Sequence, residues 1–256
     1  MGIGLMGAPL DAAPIRLRNL TVAYRGHPAV HHLSGEFAPG SLTAVVGPNG
    51  AGKTSLLAAI MGRVRPAGGE VQFGAGSRSR MAWLPQQAEI DRSFPIRVFD
   101  LVALGHWSRI GSLGGLRTAQ HDAVLRALDA VGLGGFERRG IAELSAGQFQ
   151  RVLFARVLLQ DAPVILLDEP FNAIDARTTA DLLSVVAHWH AEARTVIAVL
   201  HDLEQVRLHF DRTLLMARRC IAWGPTAEVL RAENLFRARQ MAEAWDDDAP
   251  RCEEAA

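Results

Sequence analysis

Short, unbroken apolar runs alternate with stretches of helical period along most of this chain. Ser41-Leu-Thr-Ala-Val-Val46, Val164-Ile-Leu-Leu167 and Thr195-Val-Ile-Ala-Val-Leu200 are too short for helices and almost wholly apolar. Strands at the centre of a sheet covered on both faces carry this pattern. Ile15 to Tyr24 reads as an edge strand, and Thr54 to Met61 as the helix that follows the first apolar run. The alternation predicts an α/β fold with a largely parallel sheet. Between about Gln86 and Gln160 the texture changes. Val98 to Leu104, Gln120 to Val131 and Gln148 to Gln160 have helical periodicity, with glycine-rich joints such as Gly111 to Gly115 between them. This stretch, about 87–160, is expected to be a helical subdomain inserted into the α/β core. Residues 14–245 then form a single domain, between a loose leader at 1–13 and an acidic tail at 246–256.

Composition narrows the function classes. The 256 residues, 49% of them hydrophobic, suffice for a full core. Lys plus Arg (27) balance Asp plus Glu (27), so the basic excess of a duplex-binding protein is missing and no nucleic-acid partner is expected. The two cysteines, Cys220 and Cys252, make neither a disulfide framework nor a zinc cluster, which fits a reducing cytosol. Met1 to Pro14 has no basic stretch, long apolar run or obvious cleavage site. No window reaches the roughly 18 apolar residues that cross a bilayer, so work at a membrane would need other chains to span it.

Two motifs carry chemistry. Gly47-Pro48-Asn49-Gly50-Ala51-Gly52-Lys53-Thr54 fits G-x-x-x-x-G-K-[ST], and it follows an apolar strand and opens a helix. Its glycines let backbone N–H groups close around phosphates, and the helix adds its positive dipole end. Lys53 can then reach the β- and γ-phosphates and Thr54 can place its hydroxyl on Mg²⁺. The second motif is Val164-Ile-Leu-Leu-Asp168-Glu169, two acids at the end of a buried strand. Asp168 suits the Mg²⁺ site, and Glu169 could polarise a water for in-line attack, unless one of the pair merely caps the next turn. His201, at the end of the following strand, could contact the γ-phosphate or be structural.

Leu144-Ser145-Ala146-Gly147-Gln148, followed by Phe149-Gln-Arg151, resembles the signature of ATP-binding cassettes, usually written LSGGQ-x-QR. It lies between the glycine loop and the Asp168–Glu169 strand, and the resemblance covers roughly residues 15–230. It implies a P-loop NTPase core of ABC type with a mostly parallel sheet, an antiparallel β edge and an inserted helical subdomain. It further implies that Tyr24 stacks on adenine, that the loop from Gly47 through Lys53, Thr54 and Ser55 binds ATP, and that Gln86 is the Q-loop glutamine near Mg²⁺ and the attacking water. Asn172-Ala-Ile-Asp175 matches the D-loop, and His201 the switch histidine. Two positions depart from the pattern: Ala146 stands where glycine is commoner, and Asn172 where serine is usual. All hydrolytic positions match, so the resemblance implies an active ATPase using ATP and Mg²⁺.

In this family the signature binds the nucleotide held by the opposite subunit, here through Ser145, Ala146, Gly147 and Gln148. The implied partners are a second copy, head to tail around two ATP molecules, integral membrane permease subunits and, indirectly, a solute-binding protein. The chain itself would sit at the cytoplasmic face of the cell membrane, with a permease helix docked near residues 87–110, where Phe94 and Phe99 lie. Trp83-Leu-Pro-Gln-Gln, Ile90-Asp-Arg-Ser-Phe-Pro95 and Val98 to Gly105 are similar to cassettes of zinc and manganese importers, zinc being the first choice. Iron-siderophore, haem and cobalamin importers have related cassettes and stay open. Non-transport ABC ATPases differ by a coiled-coil arm, zinc modules or paired cassettes, and a plain ATP-holding module would not need Glu169 and His201. The histidines do not read as metal ligands: His188 and His190 point to different faces of a helix, and His31-His32 fall in a turn or edge strand.

Overall fold

Two sheets organise the computed structural model, which describes residues 13–74, 80–86, 90–111, 115–172 and 174–243. The acidic tail and all but the last residue of the expected leader lie outside the described residues. In chain order the elements begin with β1 (Ile15–Tyr24), β2 (His27–Phe37), β3 (Leu42–Val46), α1 (Lys53–Ile60), β4 (Gly68–Phe73) and β5 (Met81–Leu84). Next come α2 (Val98–Ala103), α3 (Trp107–Ile110), α4 (Thr118–Ala130) and α5 (Ala146–Gln160), then β6 (Val164–Asp168) and α6 (Ala176–Ala191). The chain continues through β7 (Thr195–Val199), α7 (Leu203–His209), β8 (Arg212–Ala217), β9 (Arg219–Pro225), α8 (Thr226–Val229) and α9 (Ala232–Glu243).

The larger sheet has the order β5-β6-β7-β3-β8-β9. Its first five strands are parallel, and β9 pairs antiparallel to β8, in keeping with the parallel sheet and antiparallel edge expected. Every residue of β3, β6 and β7 is buried, as the unbroken apolar runs required. Alternate side chains of β3 enter different cores. Leu42, Ala44 and Val46 join one that also holds residues of α2, α4, α5 and α6, while Val45 joins one with α1, β1 and β2. This is the pleat at work: successive side chains leave opposite faces, so one strand anchors two layers.

The smaller sheet corrects one expectation. Ile15–Tyr24 is a strand over the residues foreseen, but it is central, lying between β2 and β4 in an antiparallel sheet of order β2-β1-β4. Its partly alternating burial records one solvated face, which an edge strand and the middle strand of a one-sided sheet share.

Helix α5 begins at Ala146, two residues ahead of the periodic run from Gln148, because Ser145 caps it. Ser145 Oγ accepts from the Gln148 N–H at 3.1 Å, and Gln148 Oε1 accepts from the Ser145 N–H at 3.0 Å. This reciprocal box satisfies two otherwise orphaned donors. The helix buries Phe149, Val152, Leu153 and Phe154, the i, i+3, i+4 face of an amphipathic helix. Phe154 stacks on Trp189 of α6, the ring centroids 5.7 Å apart and the planes 4° from parallel. Truncating Phe154 to alanine would remove about 3 to 5 kcal/mol. Packing of this kind fixes the signature turn relative to the turn after β6.

Candidate functional site

Strand β3 delivers the glycine loop to the end of the parallel sheet, where β6 and β7 also stop. The loop is tightly enclosed. A Cβ on Gly47 would stand 2.0 Å from the Met216 carbonyl oxygen, and one on Gly52 2.0 Å from that of Ala29. Gly52 also has φ +89°, a left-handed conformation that glycine adopts freely and other residues do not. The Arg218 N–H donates to the Ala51 carbonyl at 2.9 Å, tying the loop to the β8–β9 turn. Lys53 is 6% exposed, and its ammonium donates to the carbonyls of Gly47 and Pro48 at 2.9 and 3.0 Å. Burial pulls that ammonium below the ordinary lysine range, while the Glu169 and Asp168 carboxylates pull the other way.

Three oxygen-bearing side chains converge beside Lys53. Thr54 Oγ1 lies 3.4 Å from Asp168 Oδ1, and Gln86 Nε2 lies 3.5 Å from Thr54 Oγ1. They come from α1, the end of β6 and the residues after β5, and Asp168 is fully buried. A hydroxyl, a carboxylate and a side-chain amide oxygen are hard donors of the kind Mg²⁺ takes.

Next to Asp168, Glu169 has φ +49°, which turns its side chain off the strand end. Left-handed backbone costs a non-glycine residue about 1 to 2 kcal/mol. His201 Nε2 stands 2.6 Å from Glu169 Oε1. The Asn172 side-chain amide donates to Glu169 Oε2 at 3.2 Å, so both carboxylate oxygens are engaged. Serine, usual at this position in the cassettes the chain resembles, reaches one bond less far. Glu169, Asn172, His201, Asp202 and Gln205 line a cleft of about 230 Å³. Gln205 escaped the sequence reading; its position one helical turn after His201 was the available signal.

The signature stands apart from these groups. Ser145 is exposed, and Ala146, Gly147 and Gln148 form the first turn of α5, half-buried. A Cβ on Gly147 would meet only Thr178 Oγ1 at 3.4 Å and Asp175 Oδ2 at 3.5 Å, ordinary contacts, and its φ is not positive. Asp175 caps α6: its Oδ1 accepts from the Thr178 N–H at 2.9 Å and its Oδ2 from the Thr178 hydroxyl at 2.8 Å. These bonds, the backbone one first, hold the Asp175 carboxyl below the usual carboxylate range. Behind the signature, Gln150 donates to the Pro170 carbonyl at 2.6 Å, and Arg151 reaches Asp181 at 2.6 Å and Thr178 at 3.4 Å. Tyr24, at the β1–β2 hairpin, is 48% exposed, an aromatic face open to stacking. Of the expected site residues, the fold therefore assembles Lys53, Thr54, Gln86, Asp168, Glu169 and His201, and leaves the signature turn facing outward.

The family profile described as ABC transporter matches residues 30–172. The chain is 38% identical over 226 residues to the manganese transport system ATP-binding protein of Bacillus subtilis (strain 168), covering 87% of this chain and 90% of that one. It is 39% identical over 233 residues to the zinc transport system ATP-binding protein of Treponema pallidum (strain Nichols), covering 89% and 87%. Among solved structures, a chain of an inward-facing ABC transporter superposes with a TM-score of 0.78 at 27% identity, over 88% of this chain and 89% of that one. A dimeric ATP-binding cassette with ADP and Pi shares the fold at a TM-score of 0.73 and 22% identity, over 83% and 98%.

Proposed function

This chain belongs to the ABC transporter family as its ATP-hydrolysing subunit, and from that premise we propose that it powers import of a metal ion, zinc or manganese, through separate membrane subunits. Relatives named for manganese and for zinc lie at nearly the same identity, so the preference for zinc widens to the pair. What carries the catalytic reading is the meeting of Glu169 and His201 at 2.6 Å, beside Asp168 and Thr54.

In this reading the glycine loop wraps the phosphates with its N–H groups, and Lys53 swings from its carbonyls to the β- and γ-oxygens. Thr54, Asp168 and Gln86 would hold Mg²⁺, which would supply positive charge beside the phosphates. Glu169 takes a proton from the attacking water, and His201 holds the Glu169 carboxylate and faces the γ-phosphate. Tyr24 stacks on the adenine. The chain works as a head-to-tail dimer in which Ser145 and the amides of Ala146 and Gly147 close on the partner's nucleotide from a helix N-terminus, with Gln148 bracing the turn. A glycine at 147 that neither its backbone angles nor its neighbours inside the chain require supports close approach from outside.

Among the described residues no helix is long and apolar enough to cross a membrane. The chain's likeness to transport-system ATP-binding proteins supports a place on the cytoplasmic face, against permease subunits served by a solute-binding protein. A groove of about 380 Å³ offers the docking place. Phe99, its ring 4.7 Å from that of His121, forms an apolar floor, and Asp100, Glu137 and Arg138 ring it with charge. Phe94, 62% exposed, stands outside that lining. Phe99→Asp should abolish metal uptake by the assembled transporter while leaving ATPase activity of the isolated subunit within about twofold; uptake equal to wild type removes the docking site.

The direct test of the chemistry is Glu169→Gln. Phosphate release should fall by at least about a hundredfold with ATP still bound, the loss expected for a general base. Undiminished turnover would remove Glu169 from that role.

A further inference from the structure

We propose that Arg92 is a positioning residue that locks the signature turn to the strap at 90–99, so that the turn and the strap move as one body. This rests on the head-to-tail reading above and adds a residue that reading did not contain.

The observation begins with a short local turn. Asp91 Oδ1 accepts from the Ser93 N–H at 2.9 Å and from the Ser93 hydroxyl at 2.7 Å. Such Asx turns fold the backbone over two residues, and here the turn sends the intervening Arg92 inward. The Arg92 guanidinium donates to the Leu144 carbonyl and, at 3.4 Å, to the Ile141 carbonyl. Its carbon also lies 5.0 Å from the centroid of Phe149, within cation–π range. Leu144 immediately precedes Ser145, and Phe149 is in the second turn of the helix that Ser145 caps. One side chain thus grips the signature on both sides of its exposed turn.

The rest of the strap is stitched to the same segment. The Ile141 N–H donates to the Ile96 carbonyl at 3.1 Å, the Val98 N–H to the Arg139 carbonyl at 2.9 Å, and the Phe99 N–H to the Glu137 carbonyl at 3.1 Å. Those bonds join backbone to backbone well behind the signature. Arg92 alone among these contacts reaches Leu144, so it converts a movement of the strap into a movement of Ser145 and Gly147. A lysine can keep one carbonyl contact but cannot form a fork or stack on Phe149.

The test uses the full chain carrying Glu169→Gln, with ATP and Mg²⁺. Two quantities are read: the dissociation constant for a fluorescent ATP analogue at protein concentrations that keep it monomeric, and the monomer–dimer constant by sedimentation. Adding Arg92→Met should leave the first within about twofold and weaken the second by about tenfold or more, the scale of a lost charge-assisted hydrogen bond. Arg92→Lys should fall between. A structural defect alone would lower both together. Should Arg92→Met not fold, Arg92→Gln, which keeps one donor, is read by the same criterion. An unchanged dimer constant in the Arg92 variants overturns the inference. Failure of Glu169→Gln itself to dimerise overturns the head-to-tail reading instead.

Discussion

The glycine loop and the signature turn, both proposed as anion-binding devices at helix N-termini, are treated by the chain in opposite ways. Around the loop, every special residue has an internal reason. Gly47 and Gly52 are pressed against the carbonyls of Met216 and Ala29, Ala51 is tied to Arg218, and Lys53 is buried beside two carboxylates. At the signature, Ser145 and Gln148 satisfy each other, and Gly147 has room for a methyl group that nothing in the chain forbids. Glycine demanded by its own fold and glycine demanded by a visitor are thus distinguishable in a single chain. On the proposed reading the first site is finished by folding, and the second waits for a partner.

That contrast is broken or sharpened by paired substitutions. Gly52→Ala places a methyl group in backbone and forces a strained φ, so it should cost about 3 kcal/mol or more and abolish ATP binding. Thermal unfolding and nucleotide titration read this; a stable, ATP-binding Gly52→Ala would erase the distinction. Gly147→Ala should leave stability within about 0.5 kcal/mol and cis ATP binding unchanged. If the partner's nucleotide closes on this turn as proposed, the variant's turnover at saturating ATP should drop about tenfold. Equal turnover would mean that nothing approaches there. The smallest effect belongs to Arg151→Met. Its ion pair with Asp181 is half-exposed on the acid's side, 52% against 17% for the arginine. A loss of about 0.5 to 1 kcal/mol is expected, mostly screened away at high salt.

The same contrast governs what could be read from residue order. Motifs whose spacing is local were legible: the glycine loop, Asp168–Glu169 at the end of an apolar run, and the Leu144–Gln148 signature. Central strands were legible because burial on both faces removes alternation. The place of β1 was not, since central and edge strands of a one-sided sheet alternate alike. Neither was β4, whose Gly-Gly-Glu-Val-Gln-Phe is nowhere fully buried. Contacts that join distant segments also left no period. Thr54 and Asp168 are 114 residues apart, and Arg92 and Leu144 are 52 apart. Asn172 read only as a departure from a pattern. Its geometry supplies a use, since the amide reaches back to the Glu169 carboxylate. Asp91 and Ser93 flanking Arg92 were a turn signal that could have drawn attention to it.

The account stands on ATP being held between the glycine loop of one protomer and the signature of the other. Mixing two Glu169→Gln proteins tests this most directly, one carrying Asn49→Cys and the other Ala146→Cys, both with Cys220 and Cys252 changed to serine. With ATP and Mg²⁺, a short thiol crosslinker should join position 49 of one chain to position 146 of the other, only in the mixture and not with ADP. Crosslinks between like positions, or none while nucleotide is bound, would contradict it.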